Sequence, residues 1–292
     1  MRTAIQSMRA SATSWIPYWY GESEEGETPE AFGIRAARAL EDEILGARPR
    51  ERCRLRRRAG ARRGRRQDSA GRATGPEVQR IVDKYGILLL ADEVITGFGR
   101  LGTWFASQYY GIRPNLITFA KAATSGYIPL SGVIVDDKIV DVLMAHADDF
   151  NHGYTFSGHP VACAVALKNL EIIEQEKLVP RVKEFAGPAL AKMLAKFKDH
   201  PLVGEVRSVG LLGAIELVAD KRTRRRFADL GRVGLICRDH FFREGFIMRA
   251  VFDTMVTAPP LIWTQDQFDE AEEVIARALD LTLNDVAGEL AA

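Results

Sequence analysis

Cysteine and histidine are scarce in this chain: 292 residues contain three of the first and five of the second. Cys53, Cys163 and Cys237 are odd in number, widely scattered and never form a Cys-x-x-Cys pair, which argues against a disulfide framework and a thiolate metal site. His146, His152, His159, His200 and His240 do not meet acids or cysteines at ligand spacing, so no metal is expected. Long apolar runs are missing too. The run Ile87 to Ala91 is far too short to cross a bilayer, and no apolar leader ends at a small-residue cleavage site, so the expected location is the cytoplasm. The net charge is only +1, but this hides an asymmetry. Arg48, Arg50, Arg52, Arg54, Arg56, Arg57, Arg58, Arg62, Arg63, Arg65, Arg66 and Arg72 crowd into one stretch, which leaves the remainder acidic. Any nucleic-acid contact is therefore confined to that segment.

The residues that are abundant suit a globular protein of one large or two smaller domains, with 47% hydrophobic and 27% charged residues. Thr28-Pro29-Glu30, with Phe32, Ile34, Ala37, Leu40, Ile44 and Leu45 after it, predicts a capped amphipathic helix. Residues 46–75 are dominated by Arg, Ala and Gly, have Leu55 as their only large aliphatic side chain, and read as disordered. Pro76 opens a second helix carrying Val78, Ile81, Val82 and Tyr85. Gly86 stops it, and Ile87 to Ala91 reads as a buried strand. Leu116 to Ala120 and Gly132 to Val135 read as further strands, and the alternation with helices implies a mostly parallel sheet. After helices at about 160–176 and 180–197, the pattern turns to α+β, closing with a helix at 265–283. The expected division is 1–45, an Arg-rich segment 46–75, a large α/β domain 76–198 and a smaller C-terminal domain 199–292.

Gly97-Phe98-Gly99-Arg100-Leu101-Gly102 fits the dinucleotide pattern Gly-x-Gly-x-x-Gly. Five residues separate it from the strand, Gly111 and Pro114 soon interrupt the chain beyond it, and no acid stands where a ribose would need one. A flexible loop is the better reading. Asp92 and Lys121 carry more chemistry, because each comes directly after an apolar strand, at the rim where ligands collect in an open α/β sheet. Taken singly, Asp92 is an ordinary strand-end acid and Lys121 a snorkelling lysine. Taken together, a carboxylate and an amine at two strand ends suit pyridoxal phosphate. That cofactor needs a lysine to condense with its aldehyde and an acid to keep its ring nitrogen protonated.

Ala91-Asp92-Glu93-Val94-Ile95-Thr96-Gly97-Phe98-Gly99-Arg100, with Thr118-Phe119-Ala120-Lys121 downstream, resembles the signature of class III aminotransferases, of pyridoxal-phosphate fold type I. His152-Gly153-Tyr154-Thr155-Phe156-Ser157-Gly158-His159-Pro160 resembles the family's phosphate-contact segment, which reaches into the neighbouring subunit's site and implies a homodimer. Ile247-Met248-Arg249-Ala250, Thr254-Met255 and Ala258-Pro259-Pro260-Leu261 resemble the omega-transaminase and putrescine–pyruvate branch, as does Ile16-Pro17-Tyr18-Trp19-Tyr20-Gly21-Glu22. The resemblance covers roughly residues 16–45 and 75–292. It implies an α/β fold with a mostly parallel sheet, a smaller α+β C-terminal domain and pyridoxal 5'-phosphate as cofactor. It also implies transfer of an amino group from a primary amine or diamine to a keto acid. Lys121 would be the Schiff-base lysine and Asp92 would hold the pyridinium. Val94 would pack on one ring face, Thr155 would bond the phosphate of the partner's cofactor, and Tyr154 would line the shared pocket. Arg249 would bind the acceptor's carboxylate. Without the resemblance, Val94 reads as core, Thr155 as a turn hydroxyl and Arg249 as one half of a surface pair.

The chain departs from the family in three ways. The Gly-Ser phosphate cup and the ring-stacking aromatic, which precede the first matching residue in the family, have no counterpart. Residues 46–75 replace a central strand, an acid and a Gly-rich loop. Arg, Ala, Gly and Pro are what GC-rich codons yield out of frame, and the family pattern resumes at Pro76-Glu77-Val78, which points to compensating frameshifts. Ala122 and Phe252 stand where the branch has glycine, and Phe252 would crowd the substrate pocket. The rival readings are an inactive truncated relic and a nucleic-acid-binding protein acting through the Arg-rich segment.

Overall fold

Short apolar strands between residues 90 and 135 pair into one sheet, and those after Val203 pair into another. The computed structural model describes residues 19–46, 56–57, 73–146 and 152–290. In chain order the first half comprises α1 (Trp19–Glu22), α2 (Pro29–Gly46), β1 (Arg56–Arg57), α3 (Thr74–Lys84), β2 (Leu90–Asp92), α4 (Ala106–Tyr109), β3 (Leu116–Phe119), β4 (Gly132–Val135) and α5 (Asp137–His146). It continues with α6 (Pro160–Gln175), α7 (Leu178–Arg181), a π-turn at Val182–Ala186, α8 (Gly187–Ala195), β5 (Val203–Val209) and β6 (Leu212–Leu217). The chain closes with α9 (Arg232–Arg243), β7 (Arg249–Val251), β8 (Thr254–Thr257) and α10 (Gln265–Val286).

The first sheet runs β1-β2-β3-β4, with β1, β2 and β3 parallel and β4 antiparallel to β3. Helix α2 buries Phe32, Ala36, Ala37, Leu40 and Ile44, side chains about one turn apart, so one stripe faces inward. Ala37, Leu40 and Ile44 meet Val78, Ile81 and Val82 of α3 above Ile87 and Leu89. Each fully buried large aliphatic side chain there contributes about 1.5–3 kcal/mol.

The second sheet is antiparallel, in the order β5-β6-β8-β7. Helices α8, α9 and α10 cover it through Leu190, Leu194, Val233, Phe241, Phe268, Ile275 and Leu279. Helix α10 begins in a reciprocal cap: Gln267 N–H donates to Thr264 Oγ1 at 3.4 Å, and Thr264 N–H donates to Gln267 Oε1 at 2.9 Å. Inside this body Arg207 bonds Glu205 at 2.8 Å and Glu216 at 2.9 Å, and Thr254 Oγ1 donates to Glu216 at 2.8 Å. Burial pushes the Glu205 carboxyl up, with Arg207 opposing it.

Several expectations need correction. Most of 46–75 lies outside the described residues, but Arg56–Arg57, expected to be unstructured, pair with Leu90 and Ala91 as a short strand. Strand pairing uses backbone groups, so β2 accepts a neighbour whatever its side chains. Helix α3 starts at Thr74 rather than Pro76, since proline is tolerated throughout a first turn. Val182, Ala186, Leu190 and Leu194 belong to the core of the second sheet. The N-terminal α1 docks on that sheet as well, with Tyr20 packed against Val218.

Candidate active site

Asp92 ends β2, and its register partner on the parallel strand β3 is Thr118. Lys121 stands three residues after Thr118. The carboxylate and the amine are thus delivered to the same end of two neighbouring strands, which is where the sheet opens. Asp92 is half-buried, and its Oδ1 accepts the Val94 N–H at 3.3 Å. Thr118 shares the sheet face of Asp92, and its Oγ1 is buried without a hydrogen-bond partner among the described residues.

Lys121 is exposed and sits at φ 44°, in the left-handed region that costs a non-glycine residue about 1–2 kcal/mol. It opens a single 3₁₀ turn, Lys121–Ala123. Ala122 and Ala123 are packed under an aromatic group made by Phe98, Phe105 and Phe119, together with Leu170 and Ile173 of α6. Phe98 lies 5.4 Å from Phe105 and 5.7 Å from Phe119, ring centre to ring centre.

That aromatic group corrects the reading of residues 97–102 as a flexible loop. Gly97, Phe98, Gly99, Leu101 and Gly102 are all buried. Gly102, at φ 77°, lets the chain close on α7 and the π-turn, where an added Cβ would stand 2.8 Å from that of Lys183. Arg100 reaches into the second body and donates to the Pro259 carbonyl, while Leu211 N–H returns a bond to Arg100 O at 2.9 Å. Burial lowers the Arg100 guanidinium to about 10. The glycines serve close packing between two bodies rather than a phosphate cradle.

Two supporting residues escaped the sequence reading. Glu93 is 1% exposed. Its Oε2 accepts from Ala106 N–H at 2.7 Å and Thr96 Oγ1 at 2.6 Å, and its Oε1 accepts from Ser107 N–H at 2.7 Å. It therefore caps α4 from a distance and fixes the turn that leaves Asp92. The signal was the pattern Asp-Glu-x-x-Thr directly after a strand. Asn169, midway along α6, bonds the carbonyls of Ala122 and Ala123. Nothing in its helical context singled it out.

The other expected residues lie apart. Tyr154 and Thr155 are in an exposed turn before α6, in which Ser157 N–H bonds Tyr154 O at 2.9 Å. Tyr154 is 75% exposed and its neighbour Phe156 80%. Arg249 begins β7 in the second sheet, exposed, and pairs in register with Val256. Phe252, also in that sheet, is the first of two residues turning β7 into β8, with φ 51°. A left-handed first turn residue is the position that favours glycine in such hairpins, so the family's glycine has a backbone reason there. Ile16, Pro17, Tyr18 and Cys53 lie outside the described residues.

A carboxylate and a primary amine at the same end of neighbouring strands, with a buried hydroxyl on the carboxylate's sheet face, are a donor set that fits the ring nitrogen and aldehyde of pyridoxal phosphate. Among the described residues no group of three His, Cys, Asp or Glu side chains could hold a metal ion, and no helix is long and apolar enough to cross a membrane.

The profile of the family described as "Aminotransferase class-III" matches residues 71–279. A putrescine–pyruvate aminotransferase of Pseudomonas aeruginosa is 47% identical over 272 residues, covering 91% of this chain and 58% of that protein. A diaminobutyrate–2-oxoglutarate transaminase of Halomonas elongata is 39% identical, covering 90% and 58%. Among solved structures, the omega transaminase from Pseudomonas jessenii in complex with PMP aligns with a TM-score of 0.84 and 37% identity, covering 93% of this chain and 60% of that one. The chain thus spans about three-fifths of the length of these relatives.

Proposed function

Because this chain belongs to the class III aminotransferases, a family dependent on pyridoxal 5'-phosphate, we propose that it transfers an amino group from a primary amine or diamine of the putrescine kind to a keto acid such as pyruvate. The observation that carries this reading is the delivery of Asp92 and Lys121 to the same end of neighbouring parallel strands. When bound, the cofactor supplies an aldehyde for the amine and a ring that accepts the electron pair left on the substrate carbon.

The chain's own residues do the rest. Asp92 would keep a proton on the ring nitrogen by accepting a charge-assisted hydrogen bond from it. Lys121 Nζ takes the proton from the substrate carbon and returns it one position away, so it must be neutral when it accepts and within reach of both positions. The exposed four-carbon stem of Lys121, rather than its fixed backbone, supplies the reach for that movement. Val94, held to Asp92 through its N–H, packs on a ring face. Arg249 binds the carboxylate of the keto acid and turns away for an amine that has none.

The exposed Tyr154, Thr155 and Phe156 support a homodimer in which this turn reaches the partner's site, Thr155 toward the phosphate and Tyr154 along the pocket wall. The test is formation of alanine from pyruvate with putrescine as donor, after loading with pyridoxal phosphate. The folded chain should form alanine, Lys121→Ala should not, and Arg249→Ala should raise the KM for pyruvate while sparing the amine half-reaction. A folded, loaded chain that forms no alanine from any of a panel of primary amines would overturn the reading.

A further inference from the structure

The backbone around Lys121 is held in two unfavourable places: Lys121 itself at φ 44° and Ser125 at φ 49°. Each is a non-glycine residue in the left-handed region, so the intervening turn persists only because its surroundings fix it. Thr124 Oγ1 holds it from within by donating to Ile128 O at 2.7 Å, and Asn169 holds it from the neighbouring helix. Its Nδ2 donates to Ala122 O at 2.8 Å and to Ala123 O at 3.1 Å. Its Oδ1 accepts from Ser125 Oγ at 2.7 Å. One amide thus uses both donors and its acceptor on the turn, joining the two residues after Lys121 to the strained Ser125. The same helix begins at Pro160, directly after the Tyr154–Ser157 turn, so α6 ties the lysine turn to the segment carrying Thr155.

We propose that Asn169 is the positioning residue for the Lys121 amine, acting through the backbone of residues 121–125 rather than by touching the amine. The proposal rests on the reading of Lys121 as the cofactor lysine. Without the amide, two carbonyls and a hydroxyl lose their shared partner, the turn relaxes toward ordinary φ values, and Nζ swings away from the line set by Asp92. Lys121 stays exposed throughout, so its general accessibility does not change.

Two trapping reactions separate these effects in the full chain. Borohydride reduction with substoichiometric pyridoxal phosphate reads positioned reactivity, and reductive methylation with formaldehyde reads exposure alone. Peptide mass spectrometry would give the share of each label at Lys121 relative to Lys168 and Lys196. In the native chain pyridoxal phosphate should favour Lys121. In Asn169→Leu its share should fall about tenfold, a fraction of the roughly hundredfold loss that a full ångström of misplacement can cause. Methylation of Lys121 should not change, and Ser125→Ala, which removes one of the three bonds, should stay close to native. If Asn169→Leu does not fold, Asn169→Ser serves in its place with the same expectation. Undiminished pyridoxal phosphate labelling of Lys121 in a folded variant would overturn the positioning role alone. No preference for Lys121 in the native chain would overturn the cofactor-lysine reading beneath it.

Discussion

Glu93 offers a sharp test of how the site is built. Its buried carboxylate takes the first two N–H groups of α4 and the Thr96 hydroxyl, all at 2.6–2.7 Å. The residue before α4 is Phe105, which has no side-chain acceptor, so Glu93 replaces a local cap. Glu93→Ala strands two backbone donors and one hydroxyl. Each buried donor left unmade costs about 1–3 kcal/mol, with water entering the vacated space recovering part of it, so the expected loss is about 3–5 kcal/mol. That is a large share of the roughly 5–15 kcal/mol typical of a folded domain. Glu93→Gln keeps one accepting oxygen but turns an amide NH2 toward a donor, and should lose about 2 kcal/mol. Urea unfolding followed by tryptophan fluorescence, with Trp104 in the adjoining loop as reporter, would read both as a lower midpoint at unchanged slope. If Glu93→Ala lies within about 1 kcal/mol of native, the capping account of this turn is wrong.

Tyr20 is 6% exposed, its hydroxyl has no partner among the described residues, and burial raises it to about 12 despite Arg224 lying over its ring. The folded value lies above the ordinary 10.0, so its contribution is complete below that pH and is lost as pH rises from 10.0 to about 12. Tyr20→Phe should therefore flatten the alkaline fall of Tm and cost nothing, or gain up to about 1 kcal/mol, at neutral pH; parallel Tm curves would contradict this. Gly234→Ala would put a Cβ 2.0 Å from the Phe252 carbonyl oxygen, where α9 starts under the Asp253 carboxylate, and should lower stability by about 1–3 kcal/mol or more in thermal unfolding. Translating the coding DNA of residues 46–75 in its other frames should recover an apolar strand, an acid and a Gly-rich loop; finding none would remove the frameshift account.

Much of this architecture was legible because it rests on local patterns. The stripe Phe32, Ala37, Leu40, Ile44 marks α2, and the run ending at Ala91 marks β2, although only Leu90–Asp92 pairs because the partner strands are short. The position of Asp92 and Lys121 at the ends of neighbouring strands was legible from the apolar runs that precede them. Glu93 was legible only as far as its Thr96 partner three residues on, since Ala106 and Ser107 are 13 and 14 residues away and are backbone groups that no side-chain pattern marks. Asn169 was hidden for the same reason, with partners 46 and 47 residues distant. The packing partner of α8 was not legible, because α8 looks like any amphipathic helix. Only packing assigns Leu190 and Leu194 to the second sheet. The glycines of 97–102 read as flexibility, whereas Gly99 and Gly102 are small so that Val179 and Lys183 can approach.

The most direct test of the central claim is to add pyridoxal phosphate to the purified chain, reduce with borohydride, and map the fixed cofactor by peptide mass spectrometry, with Lys121→Ala and Asp92→Ala alongside. The account predicts label at Lys121, none there in Lys121→Ala, and weakened retention in Asp92→Ala. Label scattered over surface lysines, or equal retention without Asp92, would contradict it.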